Sequence, residues 1–190
     1  ELARVISSTL KKFGHVNGII YAAGTISYGT LTSINEKDFQ RILQTKIQGL
    51  SNLKKVVENL EVDFIYLMSS ISGLSPSWSK GMVAYGTANA YLDAIAMKFN
   101  SEKTVWFSRS WSMWKELGMS HNVNFSGDNA LTPFQTQRGL KLFESSLEYT
   151  DAHLAILDDS DAKNYSNQLS YRLDSVSYTH LRAHETQFDL

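Results

Sequence analysis

Short apolar runs of strand type alternate with helical stretches of ten or more residues, and that alternation constrains the chain more than any single motif. Val16–Tyr21, Val62–Met68 and Thr104–Phe107 are compact and partly β-branched, and each empties into small or polar residues. They read as strands buried on both faces. Between them lie two long helices. The first opens at Ser33 and Glu36, which have capping-box spacing, and keeps Phe39, Ile42, Leu43, Ile47, Leu50, Leu53, Val57 and Leu60 on one apolar face. The second runs from about Val83 to Phe99 with Ala84, Ala88, Leu92, Ile95 and Phe99 inward. A helix over Leu2–Phe13, closed by Gly14, precedes the first strand. Another opens near Pro133 and carries Leu140, Phe143 and Leu147, and His153–Leu157 is one more strand. Alternation of this kind implies βαβ crossovers, hence an α/β fold with a doubly wound parallel sheet. Ligands of such sheets bind beyond the carboxyl ends of the strands.

Composition narrows the function. The chain has 190 residues, enough for one ordinary domain, with 18 basic against 19 acidic side chains and a formal charge of −1. That balance gives no field to hold a polyanion, and no apolar run reaches the roughly eighteen residues of a membrane span. Nucleic acid and membrane are therefore not expected partners. The absence of cysteine excludes disulfides and thiolate chemistry. With no charged-then-apolar leader, a reducing, cytoplasmic setting is expected. The first residue is Glu1, and the chain reads as a fragment of a longer protein.

Three groups of residues have the chemistry for a reaction. Tyr85 and Asn89, four apart at the start of a helix, project from the same face. By themselves they are equally a packed tyrosine and its polar neighbour. Ser69, Ser70 and Ser72 sit just past the carboxyl end of a strand, where reacting groups collect in doubly wound folds, although serines in loops also serve as turn formers. Lys46 falls on the apolar stripe of Phe39, Ile42, Leu43, Leu50 and Leu53, where an unpaired ammonium is costly to desolvate. Either its stem packs while the charge reaches water, or the cation points at the strand ends and lowers the pKa of a phenol. A free tyrosine titrates near about 10, so a cation tuning it toward neutrality makes it a proton donor and acceptor for a carbonyl oxygen.

Five separated segments taken in order resemble one family. They are the strand followed by Ala22-Ala23-Gly24, Lys46 with Gly49 three residues on, Met68-Ser69-Ser70-Ile71-Ser72-Gly73, Tyr85 with Asn89-Ala90 and Leu92-Asp93, and Trp111-Ser112-Met113-Trp114. Together they resemble the ketoreductase domain of modular polyketide synthases, within the short-chain dehydrogenase/reductase superfamily. The exchanged positions of lysine and asparagine relative to most of that superfamily are part of the resemblance. It covers about Leu2 to Asp159 and implies the C-terminal portion of a Rossmann-type sheet, with a partial ketoreductase domain over residues 1–159.

The activity implied is NADPH-dependent reduction of a β-ketoacyl thioester carried on an acyl carrier protein, with neighbouring synthase domains. In that reading Tyr85 protonates the carbonyl oxygen, Ser70 polarises it, Lys46 depresses the pKa of Tyr85, and Asn89 holds the arrangement. Ala22, Ala23 and Gly24 would lie beside the cofactor, and Trp111 would border the nicotinamide end or pack in the core. Two other readings stand beside it: a free-standing short-chain carbonyl reductase, and a non-catalytic structural half of a ketoreductase.

The chain departs from the family pattern in four respects. The interval from Ser70 to Tyr85 is two residues longer than usual, so spacing alone would choose Ser72; the intact motif after the strand favours Ser70. The Leu-Asp-Asp triplet of one stereochemical class is replaced by Ile26-Ser27-Tyr28, and Trp78 is near but not at the tryptophan position of the other, so neither marker assigns the product configuration. No glycine-rich Gly-x-Gly-x-x-Gly turn occurs, and the N-terminal half that would clamp the pyrophosphate is expected to be missing, leaving this polypeptide alone inactive. Finally, Val176 to Thr186 resembles a translated transposase adapter oligonucleotide from sequencing libraries. Residues 175–190 are expected to be a non-native tail and 160–174 an unassigned extension. No metal site is expected, even at the helical spacing of His180 and His184.

Overall fold

The computed structural model describes residues 1–101, 103–119, 131–158 and 160–162. Its elements are α1 (Leu2–Phe13), β1 (Gly18–Tyr21), α2 (Glu36–Leu43), a π-helical turn (Gln44–Gln48), α3 (Gly49–Val57), β2 (Phe64–Ser70), a 3-10 turn (Ile71–Gly73), α4 (Val83–Phe99), β3 (Val105–Trp111), α5 (Thr136–Ser146) and β4 (His153–Ile156). The four strands form one sheet in the order β1-β2-β3-β4, and every pairing is parallel. The α/β fold with a parallel sheet expected from the alternation is what the chain adopts.

Strand periodicity builds two cores. On one face of β2, Ile65 and Leu67 pack with Leu50, Leu53 and Val57 of α3, Leu92 and Ala96 of α4, and Trp106 of β3. On the other face Tyr66 joins Phe107, Trp111, Phe134 and Ile156, with Phe143 of α5 against them. Burying an aliphatic side chain of this size contributes about 1.5–3 kcal/mol, so both helical layers are held by the sheet rather than by helix propensity. α1 buries none of its residues.

Of the boundaries that differ from expectation, four have a local reason. The helix expected from Ser33 to Leu60 is broken by the π turn into α2 and α3. Its cap is Asn35, whose Oδ1 accepts the Asp38 N–H at 2.8 Å, because the Ser33 hydroxyl is already accepting the Thr30 N–H. β3 continues past Phe107 to Trp111, since Ser108, Arg109 and Ser110 find polar partners inside the protein and the ladder to β2 runs on to Ser70 opposite Trp111. α5 starts at Thr136 rather than near Pro133: Glu116 accepts from the Thr136 N–H at 3.0 Å and from its hydroxyl. The stretch Ser120–Asn129 and the tail 175–190, with His180 and His184, lie outside the described residues, as does most of 160–174. Among the described residues no helix is long and apolar enough to cross a membrane.

Candidate active site

The carboxyl ends of β1 and β2 meet at a cluster of polar side chains that the crossover helices bring down onto them. β2 delivers Ser69 and Ser70 and passes into the 3-10 turn. The Ser70 hydroxyl caps that turn by accepting the Ser72 N–H at 3.2 Å. α4 lies so close over the turn that a Cβ on Gly73 would stand 2.7 Å from the Ala90 nitrogen. From α4, Asn89 donates through Nδ2 to the Tyr85 carbonyl at 2.8 Å and to the Ser72 hydroxyl at 3.3 Å, while Ser69 donates to the Asn89 carbonyl at 3.3 Å. Asn89 is fully buried, and its Oδ1 has no hydrogen-bond partner among the described residues.

Lys46 reaches the same place from the π turn. The residue is 2% exposed, its Nζ donates to the Met68 carbonyl at 3.0 Å, and the ammonium lies 5.8 Å from the centre of the Tyr85 ring. Of the two readings open to it, the stem-packed, water-facing one is excluded: the charge points inward at the strand ends. Burial lowers its pKa to about 8, against which the Asp93 carboxylate acts.

Tyr85 does not behave as the tuning argument expects. Burial raises its pKa above the ordinary phenol value, while the Asn89 and Ser70 side chains beside it pull the other way. Desolvation of the phenolate is the largest influence on Tyr85, and the Lys46 ammonium is turned toward the Met68 carbonyl. The two serines are also distinguished: Ser70 adjoins the phenol, whereas Ser72 is buried against Asn89.

The remaining expected residues divide. Ala22 and Ala23 are exposed just past β1, and a Cβ on Gly24 would stand 3.3 Å from Lys46 Cε and 3.6 Å from both its Nζ and the Met119 methyl. The backbone there passes close to the end of the lysine side chain. Trp111 is elsewhere. It ends β3 in the aromatic core, 4% exposed, with Nε1 donating to the Tyr66 hydroxyl at 3.1 Å and its ring against Trp114, Phe134 and Phe143. Its placement beside a nicotinamide is corrected to core packing: the face of β3 carrying Phe107 and Trp111 is turned to α5, away from Lys46.

A second buried polar group lies behind the first and carried no signal in the composition. Asp93, one further helical step along the stripe of Tyr85 and Asn89, accepts from Ser108 at 2.6 Å and from Ser110 at 3.2 Å. The Ser110 hydroxyl also meets His153 Nε2 at 2.9 Å, and burial lowers the pKa of that histidine. Four-residue spacing on the helix and alternation in Ser108-Arg109-Ser110 are the patterns that reveal this group in the sequence.

A parallel α/β sheet with a tyrosine, a lysine and serines gathered at its carboxyl edge defines the class of doubly wound oxidoreductase folds. Comparison with known proteins makes this particular. The family described as the KR domain matches residues 1–116, more than half of the chain, and the chain belongs to that family. The family is NAD(P)-dependent. Among curated relatives, polyketide synthase PksN of Bacillus subtilis (strain 168) is 29% identical over 166 residues, covering 82% of this chain and 3% of that protein. PksM of the same organism is 30% identical over 154 residues, 76% of this chain and 4% of that protein. The chain thus spans a few per cent of the length of these multidomain relatives. Among solved structures, a ketoreductase domain from the bacillaene assembly line is 25% identical with a TM-score of 0.67, over 80% of this chain and 38% of that one. An N-terminal ketoreductase from the macrolactin assembly line, at 24% identity and a TM-score of 0.72 over 88% of this chain and 33% of that one, shares the fold.

Proposed function

We propose that this chain carries the catalytic residues of a polyketide-synthase ketoreductase that uses NADPH to reduce a β-ketoacyl thioester, tethered to an acyl carrier protein, to the β-hydroxyacyl form. The observation that supports it most is the convergence of Lys46, Tyr85 and Ser70 at one strand edge. These residues come from three elements that have no other reason to share polar side chains. A cytoplasmic location and neighbouring synthase domains belong to the same proposal.

The small, exposed Ala22-Ala23 segment, the close pass of Gly24 and the unpartnered Asn89 Oδ1 fit a dinucleotide lying across the carboxyl ends of β1 and β2. Ala22, Ala23, Gly24 and Lys46 are the residues that would hold it, and when bound it supplies hydride. The raised pKa of Tyr85 then suits the reductive direction: the phenol is protonated at neutral pH and donates its proton to the carbonyl oxygen as negative charge develops there. Ser70 offers that oxygen a second donor. The phenolate left on Tyr85 faces the Lys46 ammonium, charged below pH about 8, and their attraction lowers the barrier. Asn89 keeps the start of α4 and the 3-10 turn in register through its bonds to the Tyr85 carbonyl and Ser72.

The test is NADPH oxidation by the complete protein with the β-ketoacyl thioester of a small thiol. Tyr85→Phe is expected to lose about 10²–10⁴-fold in kcat and Ser70→Ala about 10²-fold. Ser72→Ala, which loses one neutral hydrogen bond to Asn89, is expected to lose less than about tenfold. Wild-type turnover by Tyr85→Phe would overturn the assignment, and a larger loss in Ser72→Ala than in Ser70→Ala would exchange the two serines.

A further inference from the structure

The π-helical turn that carries Lys46 has a partner outside the catalytic set. Such turns are rare, insert one residue into a helix, and displace carbonyls from their usual i+4 donors. Here Tyr21, the last residue of β1, supplies a donor to the turn, where the Lys46 carbonyl also accepts from the Gly49 N–H. Its hydroxyl donates to the Thr45 carbonyl at 2.7 Å and lies 3.3 Å from the Lys46 carbonyl. The room it occupies exists because residue 49 is glycine: a Cβ there would stand 2.2 Å from the Tyr21 oxygen. Burial raises the pKa of Tyr21, so it remains a donor across the working pH range. One phenol therefore joins the strand that leads into Ala22-Ala23-Gly24 to the carbonyls on both sides of the Lys46 Cα.

We propose that Tyr21 is a positioning residue for ketone reduction: its hydroxyl holds open the wide turn that aims Lys46 at the Met68 carbonyl and the Tyr85 ring, with Gly49 making the space for it. This rests on the reading of Tyr85 and Lys46 as a working pair. Ile42, Lys46, Leu50, Leu53 and Val57 share one stripe at regular helical spacing, so the wide turn is not needed to bring them to one face; what it and Gly49 provide is room for the phenol at the Thr45 and Lys46 carbonyls. The titratable groups facing Lys46 are Tyr21 from β1 and Tyr85 and Asp93 from α4.

The experiment measures kcat, KM and the pH profile of kcat for Tyr21→Phe in the complete protein, beside Tyr66→Phe as control. Tyr66 also uses a buried hydroxyl, bonded to Ser146 and Trp111, but on the opposite face of the sheet. Tyr21→Phe is expected to lower kcat about tenfold with KM within about twofold, and to move the alkaline limb upward by about half a pH unit or more as Lys46 relaxes toward water. Gly49→Ala, which displaces the same phenol from the opposite side, reproduces both changes. Tyr66→Phe lowers the unfolding midpoint while leaving kcat and the limb at their wild-type values. Wild-type kcat and pH profile in Tyr21→Phe, or equal changes in Tyr21→Phe and Tyr66→Phe, would overturn the role of Tyr21. Tyr85→Phe in the same series separates the two levels: if it is inactive while Tyr21→Phe is normal, only the positioning role falls, and if it is fully active the reductase reading falls with it.

Discussion

Lys46 and Arg109 are both cations sealed in the interior, at 2% and 0% exposure, and the protein treats them in opposite ways. Arg109, in the middle of β3, spends its five N–H groups on carbonyls: Nε and Nη2 on Ser146, Nη1 on Ser108 and Asp151, and Nη2 also on Tyr149. Its guanidinium lies 4.4 Å from the centre of the Phe107 ring. Apart from Ser108 in β3 itself, the acceptors are the last residue of α5 and the loop into β4, where a helix end leaves carbonyls unsatisfied and carries partial negative charge. Lys46 donates to one carbonyl, and two of its three N–H groups have no acceptor among the described residues. Burial lowers the pKa of Arg109 to about 10 and that of Lys46 to about 8. A saturated cation is a structural clamp. An unsaturated one keeps its field and its donors for something that arrives.

That contrast can be broken most decisively at Arg109. Arg109→Met takes its donors away from the carbonyls of Ser108, Ser146, Tyr149 and Asp151, and a loss of about 3–5 kcal/mol is expected in urea unfolding. A variant as stable as the parent would show that the clamp is idle. The opposite sign is expected at Lys46. Its folded-state pKa of about 8 lies below the ordinary 10.5, a difference worth about 3 kcal/mol against the fold wherever both states are protonated. Lys46→Met is therefore expected to gain up to about 3 kcal/mol at pH 7 while turnover falls about 10²-fold or more; a destabilised variant would make Lys46 a second clamp.

The pH dependence sharpens the same point. Between pH 8 and 10.5 the unfolded chain binds more protons at this position than the folded one, so the Lys46 contribution makes the fold more stable as pH rises. Denaturant midpoints of the parent minus those of Lys46→Met should rise over that window and be flat below it. The smallest effect is expected for Asp93→Asn, which keeps an acceptor for Ser108 and Ser110 but removes the charge that raises the Lys46 pKa. The alkaline limb of the rate profile should move below pH about 8; an unchanged limb would separate the two polar groups.

Much of this was legible before any coordinates. Lys46 stood out because a charge on an apolar stripe violates the pattern of its own helix, and Tyr85, Asn89 and the serines because their spacing and position after a strand are patterned. Arg109 was missed for the converse reason. It sits where the apolar run has ended, and Ser108-Arg109-Ser110 reads as the start of a loop although each side chain has an interior partner. Tyr21 looked like one more strand aromatic, with nothing nearby in the chain to mark its hydroxyl.

The division follows from range. Order and type of elements, the faces they bury and the stripe on which each reactive side chain lies come from periods of 2 and about 3.6 residues, which backbone geometry imposes locally and which a linear text therefore contains. The break in the long helix, the choice between Ser70 and Ser72 as neighbour of the phenol, the raised rather than lowered pKa of Tyr85 and the burial of Trp111 in the core were decided in three dimensions. Each depends on which group, tens of residues away, fills the space beside it and on how much water that packing removes, and desolvation has no period.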